Sequence, residues 1–492
     1  MNLVIFLIIP LMTVVLLLLA RNAMQVRALA IAGAAVQAVC TVILYFSYRN
    51  IMQGQEPGLL YFEQSFPFYP SWNISFHIGV DGISIAMMLL TSWVVLAGVL
   101  ISRNITDRVK EYHVMLLLLS LGAYGFFMSV DLLIQFFFLE LAVIPKYLLI
   151  AIWGSGKKTY SANKLALLLM GGSALILVGL LMMYYSIEPH TFNWKEIAGI
   201  SLPISLQMVC FPLLFLGFGI FSAIFPFHTW VPDGHSSAPT AGSMFLAGIS
   251  MKLGGFGCLK VASFLFPDAA VTYAPWVVGL SAIAIIYGAF VTLMQKDLKY
   301  INAYSSISHC GFVLLGIGMI THGAISGAVL QMISHGLMTA LFFAIIGMVY
   351  ARTHTREIAK MGGLMRTMPF VSTMLFIVGF CSLGLPGLSG FVAEMSVFVG
   401  SWERPGLFYR TATVLACMSI VVTAVYILRA VGKVVMGPLP DAYAQTSDAA
   451  GYEKFVSVWL LLAILLIGIF PGWLVELIEP AVSFIQLRFQ AQ

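Results

Sequence analysis

Long apolar runs separated by short polar connections make up almost the whole of this chain. A helix needs about 20 apolar residues to cross the hydrocarbon layer of a bilayer. By that measure the pattern predicts fourteen spans, at about 2–20, 28–48, 80–102, 112–130, 132–153, 164–186, 204–227, 240–265, 272–293, 301–320, 323–350, 369–400, 411–435 and 455–478. Very little separates the fourth from the fifth. The opening run MNLVIFLIIPLMTVVLLLLAR has its basic residues, Arg21 and then Arg27, after the apolar stretch. A signal peptide carries them before it and adds a cleavage site, so a retained first helix is expected. The stretch 49–79, with several prolines and aromatics, predicts an ordered external cap, and 437–453 a short inner loop.

Two spans are interrupted. In FPFHTWVPDGHSSAPT (225–240), Pro226, Pro232 and Pro239 cannot continue a helix. In LGLPGLSGF (383–391), Pro386 lies between glycines within an apolar run. Broken helices at membrane depth leave backbone groups that lipid cannot satisfy, so they are expected where they line a hydrated path. The breaks lie five spans apart. Five is odd, which predicts two inverted five-helix units, helices 4–8 and 9–13. The corresponding division is 1–111 for the first three helices, 112–265 and 272–435 for the two units, and 455–492 for the last helix.

Charge tests this order. With loops assigned alternately to two sides, 17 Lys and Arg fall on one side and 6 on the other. Basic residues gather on the cytoplasmic side, which predicts both termini outside. Charged residues are only 9% of the 492 positions and 60% are hydrophobic, against about 25% charged in soluble domains. The expected fold is therefore an all-α polytopic membrane protein. The net charge of +5 is scattered and forms no patch, so no nucleic-acid partner is expected. The six cysteines stand alone in apolar stretches, with no CxxC or Cys/His spacing for zinc or iron–sulfur. There is no GxGxxG on a strand–helix unit and no P-loop. KLGGFG at 252–257 reads as close helix packing.

Of 45 charged side chains, four lie well inside spans: Glu140, Lys146, Lys252 and Glu394, with His309 and His335 beside them. A charge at the bilayer centre costs about 2.5–3.5 kcal/mol on insertion scales, so these residues should face a hydrated interior or one another. Acids, lysines and imidazoles together suit a proton relay. Burial drives all three toward neutrality, and a neighbouring opposite charge reverses the shift. Structural readings stand beside this one. Glu140 with a lysine can be a plain ion pair, and His309 and His335 can be packing residues bonded to backbone carbonyls. Asp81, Asp131, Asp233 and Asp297 lie at span ends, where caps or loop acids are expected. For His228 and His235, in the first break, hydrogen bonding to freed backbone competes with a role in proton uptake.

The runs SVDLLIQFFFLELAVIPKYLLIAIWG (129–154), PFHTWVPDGHSSAPTAGSMFLAGISMKLGGFG (226–257), QKDLKYINAYSSISHCGF (295–312), HGLMTALFFAIIGMVYARTHTREI (335–358) and LGLPGLSGFVAEM (383–395) together resemble the antiporter-like subunits of respiratory complex I, closest in the subunit M (subunit 4) branch. The likeness covers nearly the whole chain. It implies roles for Glu140 as the acid of the fifth helix, Lys252 as the central lysine, His309 and His335 as the relay of helices ten and eleven, and Glu394 as the exit acid of the second broken helix. It also implies an integral protein of the bacterial inner (plasma) membrane. Such a subunit works beside other membrane-arm subunits, including related antiporter-like chains, within the lipid bilayer. It binds no cofactor itself, and NADH, FMN, iron–sulfur clusters and quinone are expected in partner subunits. Its reaction would be that of the proton-translocating NADH:quinone oxidoreductase as a whole.

One departure stands out. The family carries a lysine in helix seven, seven residues before the histidine of the PFHTWVPD run, with a proline two residues after it; here those positions are Phe221 and Ala223. Lys146 appears in the fifth helix instead, where the family has methionine. It is expected to replace the missing lysine as the partner of Glu140, although six residues of helix set the two about 9 Å apart along the axis and about 120° around it. Rival readings are a lost half-channel or a Lys146 that snorkels to the inner surface. For the whole chain the rivals are a subunit of a multisubunit sodium/proton antiporter, the membrane arm of a hydrogenase, and a scaffold.

Overall fold

The computed structural model describes residues 1–52 and 58–490. Its helices are α1 (Ile5–Leu19), α2 (Ala23–Met52), α3 (Gly82–Ile101), α4 (Val109–Met128), α5 (Leu132–Trp153), α6 (Lys158–Ser186), the short α7 (Trp194–Ala198), α8 (Ile204–Phe221), α9 (Trp230–Ser237), α10 (Thr240–Phe245), α11 (Met251–Gly257), α12 (Pro267–Met294), α13 (Leu298–Met319), α14 (His322–Thr353), α15 (Pro369–Ser382), α16 (Ser389–Glu403), α17 (Leu407–Val435), α18 (Gly451–Ile469) and α19 (Gly472–Gln490). A π-helical segment, Leu246–Ser250, joins α10 to α11, and a second, Cys258–Ser263, extends α11, giving one rod over 240–263. An antiparallel hairpin of β1 (Tyr61–Tyr69) and β2 (Ile74–Val80), with Phe66 opposite Phe76, forms the cap.

Eleven of the described helical stretches are long and apolar enough to cross a membrane. The expected fourteen is not reached by that measure. α1 and α15 are apolar but short, and the first half of α13 carries Lys299, Asn302, Ser305, Ser306 and Ser308. The close fourth and fifth spans do separate, because Asp131 caps α5 by accepting from the N–H groups of Leu133 and Ile134. The last expected span, 455–478, ends at Ile469, and α19 turns back to lie across α3: a Cβ on Gly82 would come 1.8 Å from the Leu477 carbonyl oxygen.

The connections gather at two ends. At the cap end, Val130 N–H donates to His77 O, Leu132 N–H to Phe192 O, and Asn73 Nδ2 to His190 O. At the other, Trp153 Nε1 donates to Asp107 O, Ser155 N–H to Ser237 O and Leu298 N–H to Arg356 O. These are the two groups of loops that charge alternation separates, so the second is the base-rich end.

The helix neighbours recur. The series α4, α5, α6, α8 packs in the same order as α12, α13, α14, α15–α16. Asp131 caps α5 at the cap end, and Asp297 caps α13 at the base-rich end by the same pair of bonds, to residues two and three further on. Each break follows a serine four residues before its proline, Ser222 with Pro226 and Ser382 with Pro386. Each has a positive-φ residue within two positions of that serine, Ala223 at 61° and Gly384 at 74°. The two units thus run in opposite senses. α3, 240–263 and α14 are almost wholly enclosed by other helices, whereas α2, α6, α17 and α18 present most of their surface outward.

Candidate functional site

At the centre, α11 supplies Lys252, and α13, α14 and α16 supply His309, His335 and Glu394; all four are almost wholly buried. Lys252 Nζ donates to the Ala247 carbonyl, which the first π-helical segment supplies, and lies 2.8 Å from His335 Nδ1. The His335 ring stacks on His309, with centroids 5.2 Å apart. His309 Nδ1 is 3.4 Å from Glu394 Oε1 and 3.1 Å from Gln331 Nε2, and its Nε2 is 3.2 Å from Ser382 Oγ. Four of the six expected residues thus form one continuous row. Among the described residues neither imidazole is hydrogen-bonded to a backbone carbonyl, and each faces another titratable group.

The helix breaks position this row. Ser382, the last residue of α15, reaches His309 because the chain leaves helical geometry there. Gly384, at φ 74°, lets Glu394 close on the backbone, since a Cβ on it would stand 2.6 Å from Oε2. Gly254 does the same for the first break. Its added Cβ would fall 2.4 Å from Ser222 N and 2.5 Å from Phe218 O, the close packing expected of KLGGFG.

Glu140 and Lys146 stand apart from the row. Glu140, half-buried on the flank of α5, accepts a hydrogen bond from Ser173 of α6 and makes no ion pair among the described residues, against the plain salt-bridge reading. Lys146 is 1% exposed and its Nζ has no hydrogen-bond partner among the described residues. It points to the ring of Phe221, 5.6 Å from the centroid. Burial at this level is incompatible with snorkelling to the surface. Ser222, the residue after Phe221 at the end of α8, has a buried Oγ that also has no hydrogen-bond partner among the described residues.

The acids expected at span ends behave as caps. Asp81 accepts from Ser84 N–H, and Asp297 from the N–H groups of Lys299 and Tyr300. Asp233 pairs instead with Lys164 at 2.7 Å. His235, for which bonding to freed backbone competed with a role in proton uptake, is fully buried with neither ring nitrogen hydrogen-bonded among the described residues, and its ring stacks on Phe343 with centroids 5.1 Å apart.

Two lysines near the ends of predicted spans are buried. Lys260 pairs with Asp81 at 2.5 Å beneath Trp194, and Lys299 Nζ donates to Ala238 O at 2.6 Å. No signal along the chain separates these from surface lysines, because each lies near a span end and is covered by a distant helix. No group of three His, Cys, Asp or Glu among the described residues is placed to hold a metal.

Residues 129–419 match the family described as NADH:quinone oxidoreductase/Mrp antiporter, TM. A NADH-quinone oxidoreductase subunit M from Rickettsia bellii is 37% identical over 444 residues, 88% of this chain and 89% of that one. A chain of the respiratory complex I from Thermus thermophilus with bound NADH superposes with a TM-score of 0.90 at 26% identity, over 99% of both chains. A chain of the Mrp complex from a Dietzia species superposes at 0.86 over 99% of both, at 18% identity, a likeness of fold alone.

Proposed function

The chain belongs to the NADH:quinone oxidoreductase/Mrp antiporter family of transmembrane subunits, and from that premise we propose that it is an antiporter-like, proton-translocating subunit of the M type in a complex I type NADH–quinone oxidoreductase. The observation that carries the reading is the buried row Lys252, His335, His309 and Glu394. Each member faces a neighbour that can take or give a proton. Lys252 hands a proton to His335 Nδ1, which already accepts from its ammonium. His309, between an acid and an amide, changes partner when charged: neutral, it accepts from Gln331; protonated, it donates to Glu394. Lys146 extends the row toward Glu140 from the first unit, with Phe221 and Ser222 between.

The machine around it supplies the drive. Moving one charge against the membrane potential costs about 2.3 kcal/mol per 100 mV. Redox chemistry in partner subunits, which hold NADH, FMN, iron–sulfur clusters and quinone, therefore sets the protonation cycle. The base-rich end faces the cytoplasm of a bacterial inner membrane, with both termini outside. The units are 112–265 and 272–435, flanked by 1–111 and 455–492.

Purification of the chain from its native membrane in mild detergent, with mass spectrometry of its companions, tests the assignment. Iron–sulfur and quinone-reductase subunits support it, and a flavin-bearing NADH module settles the donor. Small membrane subunits alone would move the chain to the sodium/proton antiporters that share the family.

A further inference from the structure

At the base-rich end, a cavity of about 320 Å³ opens between the start of α2 and the end of α3. Met24, Arg27, Ala28 and Ile31, four positions on one stripe of α2, line it together with Arg103. Two guanidinium groups face one space that no carboxylate lines. Each is held by the protein. Arg27 Nη2 donates to Ile105 O at 2.8 Å, while its Nε is buried without a partner. Arg103 lies over the Tyr452 ring, 5.1 Å from the centroid, which holds its guanidinium beside the cavity. Two fixed like charges around a cavity repel each other unless an anion sits between them, and a guanidinium fork matches phosphate oxygens.

The rest of the stripe identifies the kind of anion. Below Ile31 it continues through Ala35, Val39, Ile43 and Phe46, all apolar and at least partly exposed on the outward face of α2. From Ile31 to Ile43 the helix rises about 18 Å, roughly the depth of one leaflet of a hydrocarbon layer about 30 Å thick. A charged cavity at the head-group level above an apolar track of leaflet length fits one molecule with both parts.

We propose that this cavity binds the phosphate of an anionic phospholipid, with the acyl chains lying along α2. The site goes beyond proton translocation and does not depend on it. The chemistry it shares with free inorganic phosphate is the phosphoryl group alone; the apolar track distinguishes the lipid. The test places the assembled parent complex in nanodiscs of equal phosphatidylglycerol and phosphatidylcholine. The motionally restricted fraction of each spin-labelled lipid is then measured. Phosphatidylglycerol should be retained preferentially, and the Arg27→Gln/Arg103→Gln pair should weaken its retention about 30-fold, from the attraction of two arginines at a membrane surface. Arg108→Gln, an exposed base at the same end outside the cavity, should leave it unchanged. Equal retention of the two lipids in the unaltered complex would overturn the proposal and mean that a neighbouring subunit or nothing specific covers this face. Displacement of the spin-labelled lipid by millimolar inorganic phosphate would overturn the lipid assignment in favour of a free anion.

Discussion

The two five-helix units use the same backbone device and fill it differently. Both break a helix after a serine, and both pass through a positive-φ residue within two positions, Ala223 one after Ser222 and Gly384 two after Ser382. In the second unit the break is wired: Ser382 reaches His309, Gly384 admits Glu394, and His309 leads on to His335. In the first, Ser222 Oγ has no hydrogen-bond partner among the described residues, the positive-φ residue is an alanine, and Lys146 faces an aromatic ring. The backbone therefore makes room for a relay, and the side chains decide whether its members touch. A lysine over a Phe ring at 5.6 Å gains only the modest attraction of a cation above a quadrupole. That leaves it free to change partner, where a salt bridge would hold it.

The largest effect is expected where the units meet. Lys252→Ala removes the donor that His335 faces, and proton pumping by the assembled complex, followed by a pH-sensitive dye in inverted vesicles, should fall by at least about 100-fold, the low end for loss of a positioned proton-transfer group. Pumping within twofold of the unaltered complex would remove the row as the proton path.

The next test exchanges the units' difference. Lys146→Met should cut pumping by about tenfold, and adding Phe221→Lys should restore most of it, because the second lysine would project from α8 into the space the first one occupied. If Lys146→Met pumps normally, the first unit contributes no charge to the path. If Phe221→Lys fails to rescue a folded, assembled variant, Lys146 acts through some contact other than its ammonium.

A smaller effect tests the backbone. Gly384→Ala places a methyl against the Glu394 carboxylate at positive φ and should cost about 1–3 kcal/mol in thermal unfolding, with weakened pumping. Ala223→Gly, at the positive-φ residue of the first break, should instead gain up to about 1 kcal/mol. The same sign for both would show that the two breaks are not equivalent. Smallest of all, Ser382→Ala should lower pumping a few-fold through loss of one hydrogen bond, about 1 kcal/mol, and Ser222→Ala should change it less than twofold. Equal losses would mean that Ser222 is wired after all, through a contact outside the protein atoms.

Much of the site was legible along the chain because a buried charge is rare and expensive, so Lys252, Glu394 and Lys146 stand out among apolar neighbours. Lys260 and Lys299 escaped because cost depends on depth, and a residue near a span end gives no hint of its depth. Gln331 escaped for a related reason. An amide in an apolar helix looks like packing until the imidazole it serves is placed beside it.

The sequence by itself determined the helical character, the two breaks, which loops gather at one end and the charges deep inside spans, since apolar length, proline and charge act locally or against the bilayer. Only the tertiary structure decided which charges meet. Lys252 is 83 residues from His335, and His309 is 73 from Ser382. Glu140 and Lys146, neighbours on one helix, turn to Ser173 and Phe221 instead of to each other. Side chains on one helix keep the angle the helix sets, so contact between them is decided by which other helices pack alongside.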